Sequence, residues 1–343
     1  MPPEWNLHWF KGILLLLEDR SISFDPLSAD AEGDLLLISH AHGDHIGGFR
    51  SRKPKIASQI TVELYEAYHK RKVSHLLPAF FHSQRIHLGD ISVETHSAGH
   101  ILGASQFLFR HRSHTLVYTG DMNIEKTQVT EAAPHLRCDE LIIDSTYGHP
   151  EMIFPPREQV YEEIIDWTYS QIISGRTPTY FAYPIGKAQE LIKLFNRETD
   201  LDVVADEHIV RVNEIYEKYG EKLRYFSGAS EAGKEALAAG DCVHITSNRK
   251  GRLSSIDSKR VATATTTGLS MIWKFRPYDK AFTLSNHSDF QGIVTYIRDA
   301  KPHRVYTFGF FAPILARWLE RKEGLRAVAL NETTPRNPVA TIA

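Results

Sequence analysis

Short apolar runs closed by polar residues dominate the first part of the chain, and longer stretches with helical spacing appear later. Residues 13–17 and 21–24 are two such runs joined by the polar turn Glu18-Asp19-Arg20, which predicts a hairpin. Residues 34–38, Asp-Leu-Leu-Leu-Ile, predict a buried strand, being short, almost wholly apolar and closed by small and polar residues. Ile60, Leu64, Ala67 and Tyr68 recur at helical spacing and predict a helix over 60–72. Short strands are predicted at 85–88, 91–96, 106–110, 115–119 and 140–143, a succession that points to a sheet or sandwich.

From about Pro155 the pattern changes. An amphipathic helix is predicted over 157–174, with Val160, Ile164, Ile165 and Trp167 facing a core. Strands at 179–183, 201–205, 241–246 and 260–265 then alternate with helices at 186–196 and 208–219, the signature of an α/β unit. At Ala281 the pattern of the first part returns: a strand at 281–284, a helix from Phe290, a strand at 304–308 and a helix over 312–322. The expected organisation is one domain from residues 1–152 and 281–343, with a second from 153–280. A length of 343 residues leaves ample material for both cores.

Composition narrows the classes. Apolar content of 42% and charged content of 24% are those of a soluble globular chain. A net charge of -2 gives no overall attraction to nucleic acid, so any such binding requires a local patch. Cys138 and Cys242 are far apart and in no metal-type spacing, which argues against a disulfide framework. The apolar run at 13–17 is too short for a membrane span, and no signal-peptide pattern precedes it, so a cytoplasmic protein is expected.

Candidate chemistry is concentrated directly behind the buried strand at 34–38, in Ser39-His40-Ala41-His42-Gly43-Asp44-His45-Ile46-Gly47-Gly48. Four potential metal ligands fall within six residues. His40 and His42, two apart, can converge on one ion, while Asp44 and His45, beyond a bend, can face another. A His-rich surface loop would have the same composition, the chain holding 18 His, but not this spacing behind a buried strand. Further polar residues stand at strand ends: Asp25 in Asp25-Pro26, His100 in Ser-Ala-Gly-His, Asp121 in Thr-Gly-Asp and Asp144 in Asp-Ser-Thr-Tyr. Each alone reads as turn chemistry, but the series downstream of a dense ligand cluster points to strand-end loops carrying a site. The basic stretch with Arg249, Lys250 and Arg252, and Lys187 at a helix start, are candidate contacts to a nucleic-acid backbone, as readily read as a solvated face. Thr266 and Thr267 can donate hydroxyls to a phosphate or serve as ordinary strand material.

The His40-Ala41-His42-Gly43-Asp44-His45 run is similar to the HxHxDH signature of the metallo-β-lactamase fold, and Asp25, His100 and Asp121 match its other positions in order. Asp144 in Asp-Ser-Thr-Tyr and His287 in Ser-Asn-His-Ser-Asp resemble motifs of the β-CASP nucleases. The resemblance covers nearly the whole chain. It implies an α/β protein, a metallo-β-lactamase αββα sandwich with an inserted α/β β-CASP domain, that hydrolyses phosphodiester bonds in RNA or DNA. It further implies that His40, His42 and His100 hold one ion and that Asp44, His45 and Asp121 hold a second, Asp121 bridging. Zinc is the expected metal, with manganese the alternative. Asp44 is implied in proton transfer, His287 as general acid or phosphate donor, Asp144 as its orienting partner, and Asp25 as support for a metal-bound His.

One position departs from the pattern. RNA-processing members carry a His-Gly pair at the end of the last core strand, where this chain has Phe308-Gly309. DNA-directed members of the Artemis and crosslink-repair type also lack that His, and the helix after it resembles ligase-associated exonucleases. DNA is therefore expected over RNA, with single-stranded ends preferred, a labile second ion, and Phe308 forming an apolar rim that stacks on a base. The alternatives are an RNA-processing enzyme, a small-molecule metallohydrolase, which would not need the insert, and an inactive scaffold, which would be expected to lose ligands.

Overall fold

The computed structural model describes residues 5–17, 19–77, 83–248 and 260–331. The chain packs as two units. The first contains residues 1–126, 130–153 and 287–343; the second contains 127–129 and 154–286.

The first unit opens with β1 (Asn6–Trp9), β2 (Ile13–Leu16), β3 (Ser21–Phe24), β4 (Leu35–Ile38) and β5 (Lys55–Ala57), adjacent in that order in one sheet. The expected hairpin is present as β2 against β3, Leu16 opposite Ser21. β3, β4 and β5 then run parallel, so the ends of β3 and β4 emerge side by side. Helix α1 (Gln59–His69) follows, its first turn capped by the Ser58 hydroxyl. Its buried face is Thr61, Val62, Leu64 and Tyr65 rather than the face through Ala67 and Tyr68. Thr61 is drawn inward because its hydroxyl, with that of Ser58, donates to the carbonyl of Gly103. Strands β6 (Arg85–Leu88), β7 (Ile91–Ser97), β8 (Ser105–His111), β9 (His114–Tyr118) and β10 (Glu140–Asp144) begin a second sheet.

The second unit contains α2 (Arg157–Ile173), β11 (Thr177–Phe181), α3 (Lys187–Glu198), β12 (Val203–Ala205), α4 (Glu207–Lys218), β13 (Phe226–Ser227), α5 (Glu231–Ala239), β14 (Val243–Thr246), β15 (Val261–Thr266) and β16 (Lys280–Phe282). Its six strands are all parallel, in the order β13-β12-β14-β11-β15-β16. The strand expected at 281–284 as the start of the returning domain is β16, which pairs with β15 here. Phe282 and Leu284 are buried in this unit's core with Tyr180, Leu191 and Phe195, so apolar burial decides the boundary.

The chain returns with α6 (Phe290–Ala300), β17 (Arg304–Phe308), α7 (Ala312–Trp318) and β18 (Arg326–Ala329). β17 and β18 complete the second sheet, ordered β18-β17-β10-β9-β8-β7-β6. One core joins the first unit's two sheets: Leu15, Phe24 and Leu37 from one pack with Phe107, Phe109, Tyr118, Ile142 and Phe308 from the other. β9, β10 and β17 run parallel, which brings their C-terminal ends together. Among the described residues no helix is long and apolar enough to cross a membrane.

Candidate metal centre

Strand ends of the first unit deliver the polar residues. Asp25 follows β3, Ser39 to His45 follow β4, His100 lies between β7 and β8, Asp121 follows β9 and Asp144 ends β10. Close approach of two of these loops depends on Gly120, whose φ is +54° and where a Cβ would lie 2.7 Å from Ser39 Cβ. The His100 loop is tied to α1 through the Gly103 carbonyl, which accepts from Ser58 and Thr61. The His287 segment is fixed beside Asp121: the Ser288 amide donates to the Met122 carbonyl at 2.8 Å, and Asp289 caps α6.

The centre is built on one oxygen. Asp121 Oδ2 lies 3.3 Å from His45 Nε2, 3.4 Å from His40 Nε2, and 3.8 Å from both His100 Nε2 and His287 Nε2. His42 Nδ1 is 2.9 Å from His100 Nε2. Asp44 Oδ2 is 3.6 Å from His45 Nε2, and its side chain is 53% exposed where those of His45 and Asp121 are buried. Four ligand atoms, from His40, His42, His100 and Asp121, lie within 4.8 Å of one another; Asp121, Asp144 and His287 form an overlapping group.

These donors fit a metal ion. Ligands at 2.0–2.1 Å around a tetrahedral zinc lie about 3.3 Å apart, close to the distances of His45 and His40 from Asp121 Oδ2 and shorter than those of His100 and His287. His40 is completely buried and its Nε2 has no hydrogen-bond partner, an arrangement that costs free energy unless the lone pair is used. Imidazole and carboxylate together suit zinc, and manganese with its preference for oxygen less well.

Outer contacts hold these groups in place. Asp25, with a left-handed backbone at φ +42°, is 2.7 Å from His45 Nδ1 through Oδ2. It also accepts from the Ser39 amide and hydroxyl and from the Tyr118 hydroxyl. His287 Nδ1 is 2.7 Å from Asp144 Oδ2, and Thr146 donates amide and hydroxyl to Asp144 Oδ1. Burial pushes the Asp144 carboxyl up, but the His287 charge and these hydrogen bonds outweigh it and hold Asp144 below the usual carboxylate value. Burial and the neighbouring imidazoles keep His40 well below the ordinary His value. For His45, burial opposes the charged form, yet Asp121, Asp44 and Asp25 together raise it well above that value.

No protein-family model matches the chain. Over 306 residues it is 31% identical to a probable DNA ligase of Opitutus terrae, an alignment covering 86% of this chain and 28% of the relative. An RNase J-like protein of Methanocaldococcus jannaschii is 27% identical over 238 residues, 61% of this chain and 56% of the relative. A ribonuclease of Thermus thermophilus is 30% identical over 195 residues, 49% of this chain and 43% of the relative. The chain is similar to proteins of the β-CASP metallo-β-lactamase family. The chain spans 28% to 56% of the length of these three relatives. A solved structure from Enterococcus faecalis V583, of a protein of unknown function, shares the fold with a TM-score of 0.62 at 15% identity, covering 88% of this chain and 92% of the other.

The other candidate residues are placed differently from expectation. Lys187 is 4% exposed and donates from Nζ to the Leu284 carbonyl at 2.8 Å, so it is an interior residue, not a surface contact. Burial pushes its ammonium down to about 7. Thr266 is buried, and the Thr267 hydroxyl caps its own loop by accepting from the Leu269 amide. Arg249, Lys250 and Arg252 lie outside the described residues. Phe308 is buried at 6% exposure with its ring 5.5 Å from that of Tyr118, so it is core and not an exposed rim for stacking. Ser39 and Tyr118, which hold Asp25, escape a reading of the sequence: a serine before a histidine and a tyrosine inside a strand carry no signal of their own.

Proposed function

We propose that the protein is a metal-dependent nuclease that hydrolyses phosphodiester bonds in DNA and takes single-stranded ends faster than intact duplex. The observation carrying this reading is Asp121 Oδ2 with four imidazole nitrogens at 3.3 to 3.8 Å, one of them from the Asp144-backed His287. In this reading His40, His42 and His100 hold one zinc ion and Asp44, His45 and Asp121 a second, more weakly held, with manganese the alternative metal. When bound, such ions supply a nucleophile from water at neutral pH and offset charge on the phosphoryl oxygens. Asp44, the exposed carboxylate of the set, takes the proton from the attacking water. His287 donates from Nε2 to the leaving oxygen or to the phosphate, while Asp144 holds its Nδ1 proton and steadies the charged ring. The first unit is read as an αββα sandwich and the second as the inserted β-CASP domain. The alternation of all-parallel strands and helices over 154–286 supports that reading.

DNA is preferred over RNA on two grounds. The relative named as a probable DNA ligase aligns with 86% of this chain, and Phe308 stands where RNA-processing members carry a His. The RNA reading is kept as second because other relatives are named as ribonucleases. The deciding assay offers end-labelled DNA and RNA strands with 5′-phosphate or 5′-hydroxyl ends to metal-stripped protein supplied with zinc or manganese. Faster cleavage of single-stranded DNA supports the reading; cleavage of RNA alone replaces it, and cleavage of neither overturns it.

A further inference from the structure

Asp25 is buried at 5% exposure, and its carboxylate receives four contacts. The Ser39 amide reaches Oδ1 at 2.6 Å, while the Ser39 hydroxyl at 2.5 Å, the Tyr118 hydroxyl at 2.6 Å and His45 Nδ1 at 2.7 Å all meet Oδ2. An oxygen surrounded by three proton-carrying groups acts as acceptor to each. Two consequences follow from counting protons. His45 keeps a proton on Nδ1, which turns its Nε2 toward Asp121 and Asp44. The one hydroxyl proton of Ser39 is committed to Asp25, so Ser39 Oγ has only acceptor capacity left for its other neighbour.

That neighbour is His40 Nδ1, 2.9 Å away. A hydrogen bond there requires the proton on His40 Nδ1. Nε2 makes no hydrogen bond, so with the proton on Nδ1 its lone pair is the ring position left for an ion. The hydrogen bonds thus place a proton on His40 Nδ1 and turn Nε2 toward Asp121 Oδ2, 3.4 Å away.

From these contacts we infer that Asp25 fixes the ring protons of two imidazoles at once, directly on His45 and through the Ser39 hydroxyl on His40. Ser39 and Tyr118 are thereby positioning residues of the centre. The tautomer choice itself is independent of any nuclease activity, but its use rests on the metal-dependent reading of the site. Tyr118 is held by ring contacts to Phe24 at 4.8 Å and Phe308 at 5.5 Å, so the aromatic core orients its hydroxyl. Phe308 thus bears on the centre from within the core.

The test is long-range 15N–1H correlation of the His rings in the metal-free full-length protein, which separates the two neutral tautomers. The expected result is His40 as the Nδ1–H form in wild type, giving way to a mixture or the Nε2–H form in Ser39→Ala. Nε2–H His40 in wild type overturns the inference without any variant. Zinc affinity, read by competition with a chromogenic chelator, is expected to fall at least about tenfold in Ser39→Ala, as for the loss of other outer partners of metal-binding histidines. Affinity within twofold of wild type overturns it. Tyr118→Phe keeps the ring packing and is expected to weaken zinc less than Ser39→Ala does; affinity equal to wild type would remove Tyr118 from the positioning residues. If wild type binds no zinc, the metal reading fails, while the His40 tautomer still decides the relay.

Discussion

Both units bury ionisable side chains near the C-terminal ends of parallel strands, but they finish them differently. In the second unit Glu190 is fully buried and accepts from Arg157, from Tyr161 at 2.6 Å and from Asn286 at 2.6 Å. Lys187 donates to a carbonyl, and Asp206 accepts from Thr246 and is 3.1 Å from His244 Nε2. These groups close on one another at hydrogen-bond distance. In the first unit the imidazole nitrogens around Asp121 stop at 3.3 to 3.8 Å, too far for good hydrogen bonds and suited to a shared ion. Side chains that close on one another in this way serve architecture, whereas spacing left open around one carboxylate oxygen is what the proposed metal centre requires.

The largest effect that separates the two is expected from Asp121→Ala. Removing the shared oxygen should lower phosphodiester hydrolysis by more than about a thousandfold, equal to about 4 kcal/mol, and reduce bound metal in elemental analysis. Asp44→Ala should leave the fold intact and also abolish hydrolysis; activity within tenfold of wild type would remove Asp44 from the chemistry. Next comes the closed set. Glu190→Ala strands the Arg157 charge in the interior and should cost about 3–5 kcal/mol in chemical denaturation, with metal content per folded molecule unchanged. Equal metal loss in Glu190→Ala and Asp121→Ala would erase the distinction between the open and the closed set.

The same contrast decides how much of the molecule is legible in its sequence. His40 to His45 can be found because the ligands are compressed into one loop behind a recognisable strand. Asp121 and Asp144 can be found because each ends an apolar run with a polar residue. His287, in a polar loop, can be found only through the resemblance of Ser-Asn-His-Ser-Asp to a family motif. Ser39 and Tyr118 cannot, since their roles arise only when β3, β4 and β9 are brought side by side. Lys187 and Phe308 read as surface residues because sequence shows residue type and not depth. The boundary at 281 is misplaced because a three-residue strand gives no sign of which sheet it joins, and β13 and α5 lack a clear apolar period.

A smaller effect is expected in metal uptake against pH. Because the carboxylates around His45 hold its proton above the ordinary His value, zinc must displace that proton. Zinc affinity should therefore rise with pH from about 6.5 toward the raised His45 value, with proton release detected by calorimetry in buffers of different ionisation enthalpy. No proton release in that window would mean the ion avoids His45. The smallest effect is expected from Thr266→Val. The Thr266 hydroxyl is buried without a hydrogen-bond partner, so the isosteric change should be neutral or stabilising by up to about 1 kcal/mol. Weakened oligonucleotide binding in that variant would instead restore Thr266 as a phosphate contact.

Whether the open cluster is a metal centre is decided by anomalous diffraction above and below the zinc edge from crystals of zinc-loaded protein. A strong peak is expected among His40, His42, His100 and Asp121, with a weaker one beside Asp44 and His45. Zinc bound elsewhere, with no anomalous density within reach of Asp121 Oδ2, would contradict the metal-centre reading.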